Sequence, residues 1–359
     1  VTATSAASPG AIPSGPEDVT AGWLSGVLGA DITDVRVTPV GTGQTGATYR
    51  LVPTYADGPG WHPATLVAKL PSQDEEVRQR VALGYRAEYA FYTEAAGTLQ
   101  VPLPRVYHCA IDRDGADFVL LMADLAPAVQ ADQIRGCSEQ EARLAAVALA
   151  GLHGPRWCDP RWLSFSGATM PRADPAFAAG LGQLAVSAAE TTVAKLGERM
   201  SAADRATLAE AAAAIEPWLL VAPERFALLH GDFRADNLLF DPARSRVTVV
   251  DWQTLTVGLP ARDLSYFTAT SLVPELRAGT ERGLVEVYHD ALQRHGVTDY
   301  DRETCWQDYR LGVLQVPLIT TFGFAFAAAT DRGDDMVLTM LERGCRAIRE
   351  LGTLDLLTG

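Results

Sequence analysis

Residues 228–240 read LLHGDFRADNLLF. Apolar runs flank a short loop that holds His230, Asp232, Arg234 and Asn237. The flanks have the texture of a strand end and a second short strand. A polar loop in that setting has two readings. Its Asp and Asn side chains cap a turn by bonding their own backbone, or they handle a proton and a metal ion. The rest of the chain decides between them.

Asp232 and Asn237 have the DxxxxN spacing of a kinase catalytic loop. The aspartate would accept or orient a hydroxyl proton, and the asparagine carbonyl suits Mg2+, which prefers hard oxygen donors. His230 reads as a structural residue bonded to the loop backbone. Shortly afterwards, RVTVVDW at 246–252 ends an apolar strand with Asp251, a second candidate metal ligand.

Further upstream, VGTGQTGATYRL at 40–51 matches GxGxxG through Gly41, Gly43 and Gly46. A dinucleotide fold needs a helix after those glycines and an acid about twenty residues on. Here the strand-like ATYRLVPTY follows instead, so an oxidoreductase reading fails. The loop joins two strands, the geometry of a glycine flap over nucleotide phosphates, with Gly41, Thr42, Gly43, Gln44, Thr45 and Gly46 as its members. Lys69, amid the apolar residues of TLVAKL, must reach solvent or meet a charge. A carboxylate-held lysine on phosphates needs a partner. Glu88 in the following helical stretch is the first candidate and Glu94 the second. In FVLLMADLAPAV, the residues Met122, Ala123, Asp124 and Leu125 form a connector whose backbone groups can pair with an adenine edge. Singly, these features are a hairpin loop, an edge-strand lysine, a linker and capping residues. Together, in this order, they point to nucleotide chemistry.

The chain has 359 residues, 48% hydrophobic and 21% charged, enough for a packed core and about two domains. A net charge of −14 argues against a nucleic-acid partner, which needs clustered Lys and Arg. The five cysteines include no CxxC pair, so reduced thiols in a cytoplasmic protein fit best. The first residues show neither the basic nor the apolar region of a signal peptide. LGVLQVPLITTFGFAFAAAT at 311–330 reads as a buried helical segment, not a membrane span.

Residues 1–14 read as a flexible lead. Residues 15–125 read as a strand-rich nucleotide-binding lobe: a short helix, three strands at 34–40, 47–55 and 64–70, a helix from 72 to 97, then two more strands. Residues 126–359 read as a larger helical lobe. It opens with a capping-box signal at Ser138 and Glu141 and carries the catalytic loop, the metal site and the substrate-facing helices.

HGDFRADNLLF followed by VVDWQTLTVGLPARDLSYF resembles the aminoglycoside phosphotransferase and choline kinase-like superfamily, most of all its ecdysteroid-kinase-like branch. The resemblance covers roughly residues 35–270. It implies an α+β, bilobal protein-kinase-like fold, with an antiparallel sheet and one main helix in the N-lobe. It implies Asp232 as catalytic base, Asn237 and Asp251 as Mg2+ ligands, and Lys69 with Glu88 on the phosphates. Asp263 in ARDLSYF is similar to the family's second structural aspartate. Too few residues separate Asp251 from ARDL for a peptide-binding activation segment, so a small molecule should be the acceptor.

The expected activity is ATP- (or GTP-) and Mg2+-dependent phosphoryl transfer to a hydroxyl of a small molecule such as an antibiotic or other secondary metabolite. No nucleic acid and no membrane should be involved. A steroid-like or other alcohol is an alternative acceptor, and a non-catalytic nucleotide-binding regulator is the alternative from another class. Arg234, Trp306 and Asp308 are candidate acceptor contacts. Trp306 and Asp308, with Trp218, Asp331, Asp334 and Asp335, promise an acidic, aromatic mouth suited to a cationic sugar or a nucleoside-like natural product.

Overall fold

The structure is a computed structural model that describes residues 12–40, 47–58, 60–326 and 331–357. The glycine-rich loop, Gly41, Thr42, Gly43, Gln44, Thr45 and Gly46, lies outside the described residues. The chain forms two compact units: Val1–Gly97 with Leu103–Ala126, and Thr98–Pro102 with Pro127–Gly359. The architecture is α+β and kinase-like, with an antiparallel sheet in the first unit and a mainly helical second unit.

The first unit opens with α1 (Ala21–Leu28), which the Thr20 side chain caps by accepting the Trp23 N–H. Gly29 ends it in the left-handed region, at φ 63°. Five strands follow: β1 (Ile32–Pro39), β2 (Ala47–Tyr55), β3 (Leu66–Leu70), β4 (Val106–Ile111) and β5 (Phe118–Ala123). They pair antiparallel in the order β1-β2-β3-β5-β4. Helix α2 (Glu75–Ala90) lies between β3 and β4 in sequence, and Asp74 caps it.

Strand periodicity sorts the side chains. Leu66, Ala68 and Leu70 join Val119 and Leu121 in a core with Trp23 and Leu24 of α1. Phe118, Leu120 and Met122 face the other way and pack with Tyr85 of α2, whose ring stacks on Phe118 at 5.5 Å. Alternation therefore turns Lys69 away from the α1 face and towards α2.

The second unit contains β6 (Val129–Gln130), α3 (Glu139–His153), α4 (Pro175–Leu196), α5 (Ala202–Ala213) and α6 (Ile215–Leu219). Four short strands follow: β7 (Ala227–Leu229), β8 (Leu238–Phe240), β9 (Val247–Val249) and β10 (Thr256–Gly258). The chain then runs through α7 (Ala261–Ser271), α8 (Pro274–Arg294), α9 (Arg302–Gly312), α10 (Gln315–Phe326) and α11 (Asp331–Leu351). Strand β7 pairs with β10, and β8 lies between β6 and β9. No described helix is long and apolar enough to cross a membrane, and residues 311–326 of the apolar run supply the end of α9 and α10.

Helix α7 is the axis of this unit. All eleven of its residues are buried, and α8, α9, α10 and α11 pack on it. A helix hydrophobic on one stripe alone would not survive there. Its hydroxyl side chains are satisfied internally: the Ser265 hydroxyl donates to the Tyr309 carbonyl at 2.6 Å, and Thr268 bonds the Tyr309 hydroxyl at 2.7 Å.

The capping box of α3 forms as its spelling indicates, with Glu141 Oε2 accepting the Ser138 N–H at 2.8 Å and the Ser138 hydroxyl facing the Glu141 N–H. Ser138→Ala should lower the unfolding free energy by about 1 kcal/mol, read from the midpoint of a urea titration at unchanged slope.

Candidate active site

The loop at 230–237 is held from beneath by Asp263, in the first turn of α7. One carboxylate oxygen accepts the His230 N–H at 2.7 Å and the other the Gly231 N–H at 3.1 Å. His153 of α3 stands 3.3 Å away on the same carboxylate, and its other ring nitrogen meets the Tyr288 hydroxyl at 2.8 Å. The His230 ring reaches the Val250 carbonyl at 3.1 Å, and the Gln315 amide donates to the Gly231 carbonyl at 3.0 Å. Gly231 has φ +84°, and a Cβ there would stand 1.9 Å from the Thr254 carbonyl oxygen, so no other residue fits.

This frame presents Asp232. Its Oδ1 accepts the Tyr266 O–H at 2.8 Å, and its Oδ2 accepts Arg234 Nε at 3.0 Å. Asn237 Nδ2 donates to the Asp232 carbonyl at 2.8 Å, with a longer approach of 3.3 Å to Oδ2. A carboxylate has about four acceptor positions, so these donors orient it and leave room for another. Asp232 keeps 21% of its side chain exposed.

The Asn237 amide nitrogen is thus committed to the loop, and its oxygen accepts from no described residue. Strands β8 and β9 pair Leu238 with Val249, and the Val250 N–H donates to the Asn237 carbonyl at 3.1 Å. This register brings Asn237 to the same hairpin end as Asp251. Asp251 has φ +67°, a left-handed conformation that aspartate tolerates better than most residues but that still stores strain. An amide oxygen and a carboxylate are a hard-oxygen donor pair, and they fit Mg2+, which completes its shell with water and phosphate.

In the first unit, Lys69 Nζ lies 2.8 Å from Glu88 Oε2, with 11% and 1% of the side chains exposed. Glu94 is exposed in the π-helical turn Phe91–Ala95, so Glu88 is the partner. Met122 and Ala123 are committed to β5, where Met122 pairs with Val67 and the Ala123 N–H donates to the Arg105 carbonyl at 2.8 Å. The Asp124 carboxylate is taken by Arg50 at 2.6 Å and by the Ala126 N–H at 3.0 Å. Burial works against its charge, but these donors hold its pKa below the ordinary carboxylate value. Its side chain is therefore a brace and no free acceptor. Backbone groups at Asp124 and Leu125 are what this connector has to offer a base.

The proposed acceptor contacts need correction. Asp308 is 1% exposed and holds Arg225 at 2.7 and 2.8 Å and the Tyr300 hydroxyl at 3.0 Å, so it stitches the helices together. Trp306 is buried, with the Arg282 guanidinium 3.6 Å from its ring centroid. Trp218 is buried, and Asp335 pairs with Arg199. The acidic, aromatic mouth is therefore not assembled from these residues. Arg234 gives its donors to Asp232 and Asp236, at 3.0 and 2.8 Å. Burial opposes its charge, and those two carboxylates outweigh that effect and raise its pKa.

Tyr266 and Gln315 escaped the reading of the sequence. For Tyr266 a signal existed: it follows Asp263 by three residues, the spacing that puts two side chains on one helix face. Gln315 carried none, since its target is a backbone carbonyl 84 residues away.

Similar proteins share this arrangement of elements. The structure of wild-type aminoglycoside 2′-phosphotransferase-IIIa with GDP superposes with a TM-score of 0.51 at 15% identity, over 88% of this chain and 93% of the other. An ethanolamine kinase of Plasmodium vivax gives 0.51 at 10% identity, over 88% and 84%. In sequence, a 43-residue segment is 54% identical to acyl-CoA dehydrogenase family member 11 of Gallus gallus, and covers 12% of this chain and 6% of that protein. Residues 36–303 match the phosphotransferase enzyme family, APH. The chain belongs to that family.

Proposed function

We propose that the chain transfers the γ-phosphate of ATP or GTP to a hydroxyl of a small molecule, with Asp232 as the base. The observation that supports this most is the hairpin end on which Asp232, Asn237 and Asp251 stand together, clamped by Asp263. The acceptor oxygen attacks the γ-phosphorus and its proton passes to a free lone pair of Asp232. The bond from that phosphorus to the bridging oxygen breaks, and the nucleoside diphosphate leaves. Tyr266 and Arg234 fix the carboxylate, so that little reorientation precedes attack. Asn237 and Asp251 would hold Mg2+, which neutralises charge on the phosphate oxygens when bound. Within the first unit, Lys69 paired with Glu88 is the candidate phosphate-binding lysine. A solved structure of similar fold, that of APH(2″)-IIIa, holds GDP and kanamycin, and a secondary metabolite is a natural acceptor class for this chain.

Asp232→Asn should cut phosphate transfer at least 100-fold while nucleotide affinity stays within about twofold, measured by single-turnover assay and calorimetry. Transfer at near-normal rate would remove Asp232 from the mechanism. Asp251→Ala should abolish the dependence of nucleotide affinity on magnesium, and an unchanged magnesium titration would exclude it as a ligand. Tyr266→Phe should lower kcat about tenfold with nucleotide affinity unaltered, the signature of a group that positions the base.

A further inference from the structure

Arg262, the second residue of α7, is a buried charge that the proposed chemistry does not use. It is 7% exposed, and its guanidinium carbon lies 3.9 Å from the centroid of the Trp218 ring. Gly258 lies against it, since a Cβ there would stand 3.0 Å from Nη1. Its Nε is buried without an acceptor, and among the described residues no oxygen accepts a hydrogen bond from Nη1 or Nη2. Burial pulls its pKa down to about 10, with the neighbouring Asp263 partly offsetting that, so it is charged at neutral pH. The Asp263 oxygens themselves are committed to the His230 and Gly231 N–H groups. A buried guanidinium without hydrogen-bond acceptors is unfavourable, because burial strips its water and nothing replaces it.

Arg262 lines a cleft of about 550 Å3 of atom-free space, its open mouth included. The cleft lies wholly within the second unit. Phe177, Leu181, Leu219, Phe226, Val257 and Leu318 make its apolar wall, and no Asp or Glu lines it. Two other cations do. Arg225 is committed to Asp308, and Arg172 donates to the Pro223 carbonyl at 3.2 Å. Arg172 is exposed to solvent, so Arg262 is the buried guanidinium of the three whose donors meet no acceptor. The cleft also adjoins the catalytic loop. Gln315 lines it and donates to the carbonyl of Gly231, next to Asp232. Arg262 stands one helical turn before Tyr266, which holds the Asp232 carboxylate.

We propose that this cleft takes the acceptor and that Arg262 binds a carboxylate or phosphate oxyanion on it, with the apolar body of the molecule on the wall opposite. The acceptor class is thus an anionic hydroxy compound, not the cationic sugar that the acidic composition suggested. The assignment to the acceptor rests on the phosphotransferase reading; the anion site does not.

Calorimetry without nucleotide separates the two. The probes are 8-hydroxyoctanoate, 1,8-octanediol monophosphate, methyl 8-hydroxyoctanoate and 8-amino-octan-1-ol, and the carboxylate and phosphate arms distinguish the two oxyanions. At least one anionic probe should bind at least 30-fold more tightly than the ester and the amine. Arg262→Met should abolish that preference, and Arg262→Lys should retain part of it. Gly258→Ala, which displaces the guanidinium without removing it, should weaken anion binding several-fold and guards against misfolding of the Met variant. Arg282→Met, on α8 and outside the lining of the cleft, should leave it unchanged. Failure of both anionic probes to bind, equal binding of all four probes, or anion binding indifferent to position 262 overturns the site. Arg262-dependent binding without phosphorylated product, when magnesium and ATP are added, sustains the site and tells against the transfer reading.

Discussion

The carboxylate of Asp263 is the constraint on which the second unit depends. It is fully buried, and its two oxygens take the N–H groups of consecutive residues, His230 and Gly231. Backbone donors of a loop that leaves a strand have no ladder partners, and water cannot reach these. The bidentate grip supplies the missing acceptors and fixes the direction in which the next residue, Asp232, leaves the strand. Removing one member of such a buried charged set costs on the order of 3–5 kcal/mol, because the rest are left unsatisfied. The helix that carries Asp263 is in turn buried on every side, so the position of the loop is set by the packing of four other helices.

The charge balance of the molecule misleads about its interior. A net charge of −14 is spread over the surface, and exposed pairs such as Arg199 with Asp335 contribute little. Inside the second unit, acids are matched closely. Asp308 has Arg225 and Tyr300, and Glu281 lies between Arg277 and Tyr309. Burial raises the Glu281 pKa, and Arg277 and Tyr309 only partly counter it. Among the described residues of that unit, Arg262 is a buried cation whose Nε has no acceptor. Bulk composition reports solubility, whereas the sign of a binding surface follows from which buried groups lack a partner.

Much of the fold was legible because it is written in local periods. The alternation in ATLVAKL separates Leu66, Ala68 and Leu70 from Lys69, and it sends that lysine to the face where α2 packs. The flanks of LLHGDFRADNLLF became β7 and β8, and Ser138 with Glu141 became a capping box. The strands β6 and β10 were not legible, being two and three residues long and defined only by their partners. Acidic and aromatic residues in the late helices looked like a mouth because spelling carries no burial. Trp306 and Asp308 turn inward since α9 packs on α7 and α8, a tertiary fact no local window contains. Arg262 was invisible for the same reason, as a helix-start arginine is usually solvated.

The grip of Asp263 also has a consequence for the order in which the molecule forms. Its ligands come from residue 153, residues 230 and 231, and residue 263, so three remote stretches must meet before the loop has a shape. Contacts of such long sequence separation form late and carry the entropy of closing large loops. A nascent or partly melted chain can hold helices without holding the loop. Competence for chemistry should therefore vanish with the global unfolding of the second unit and not by gradual local fraying.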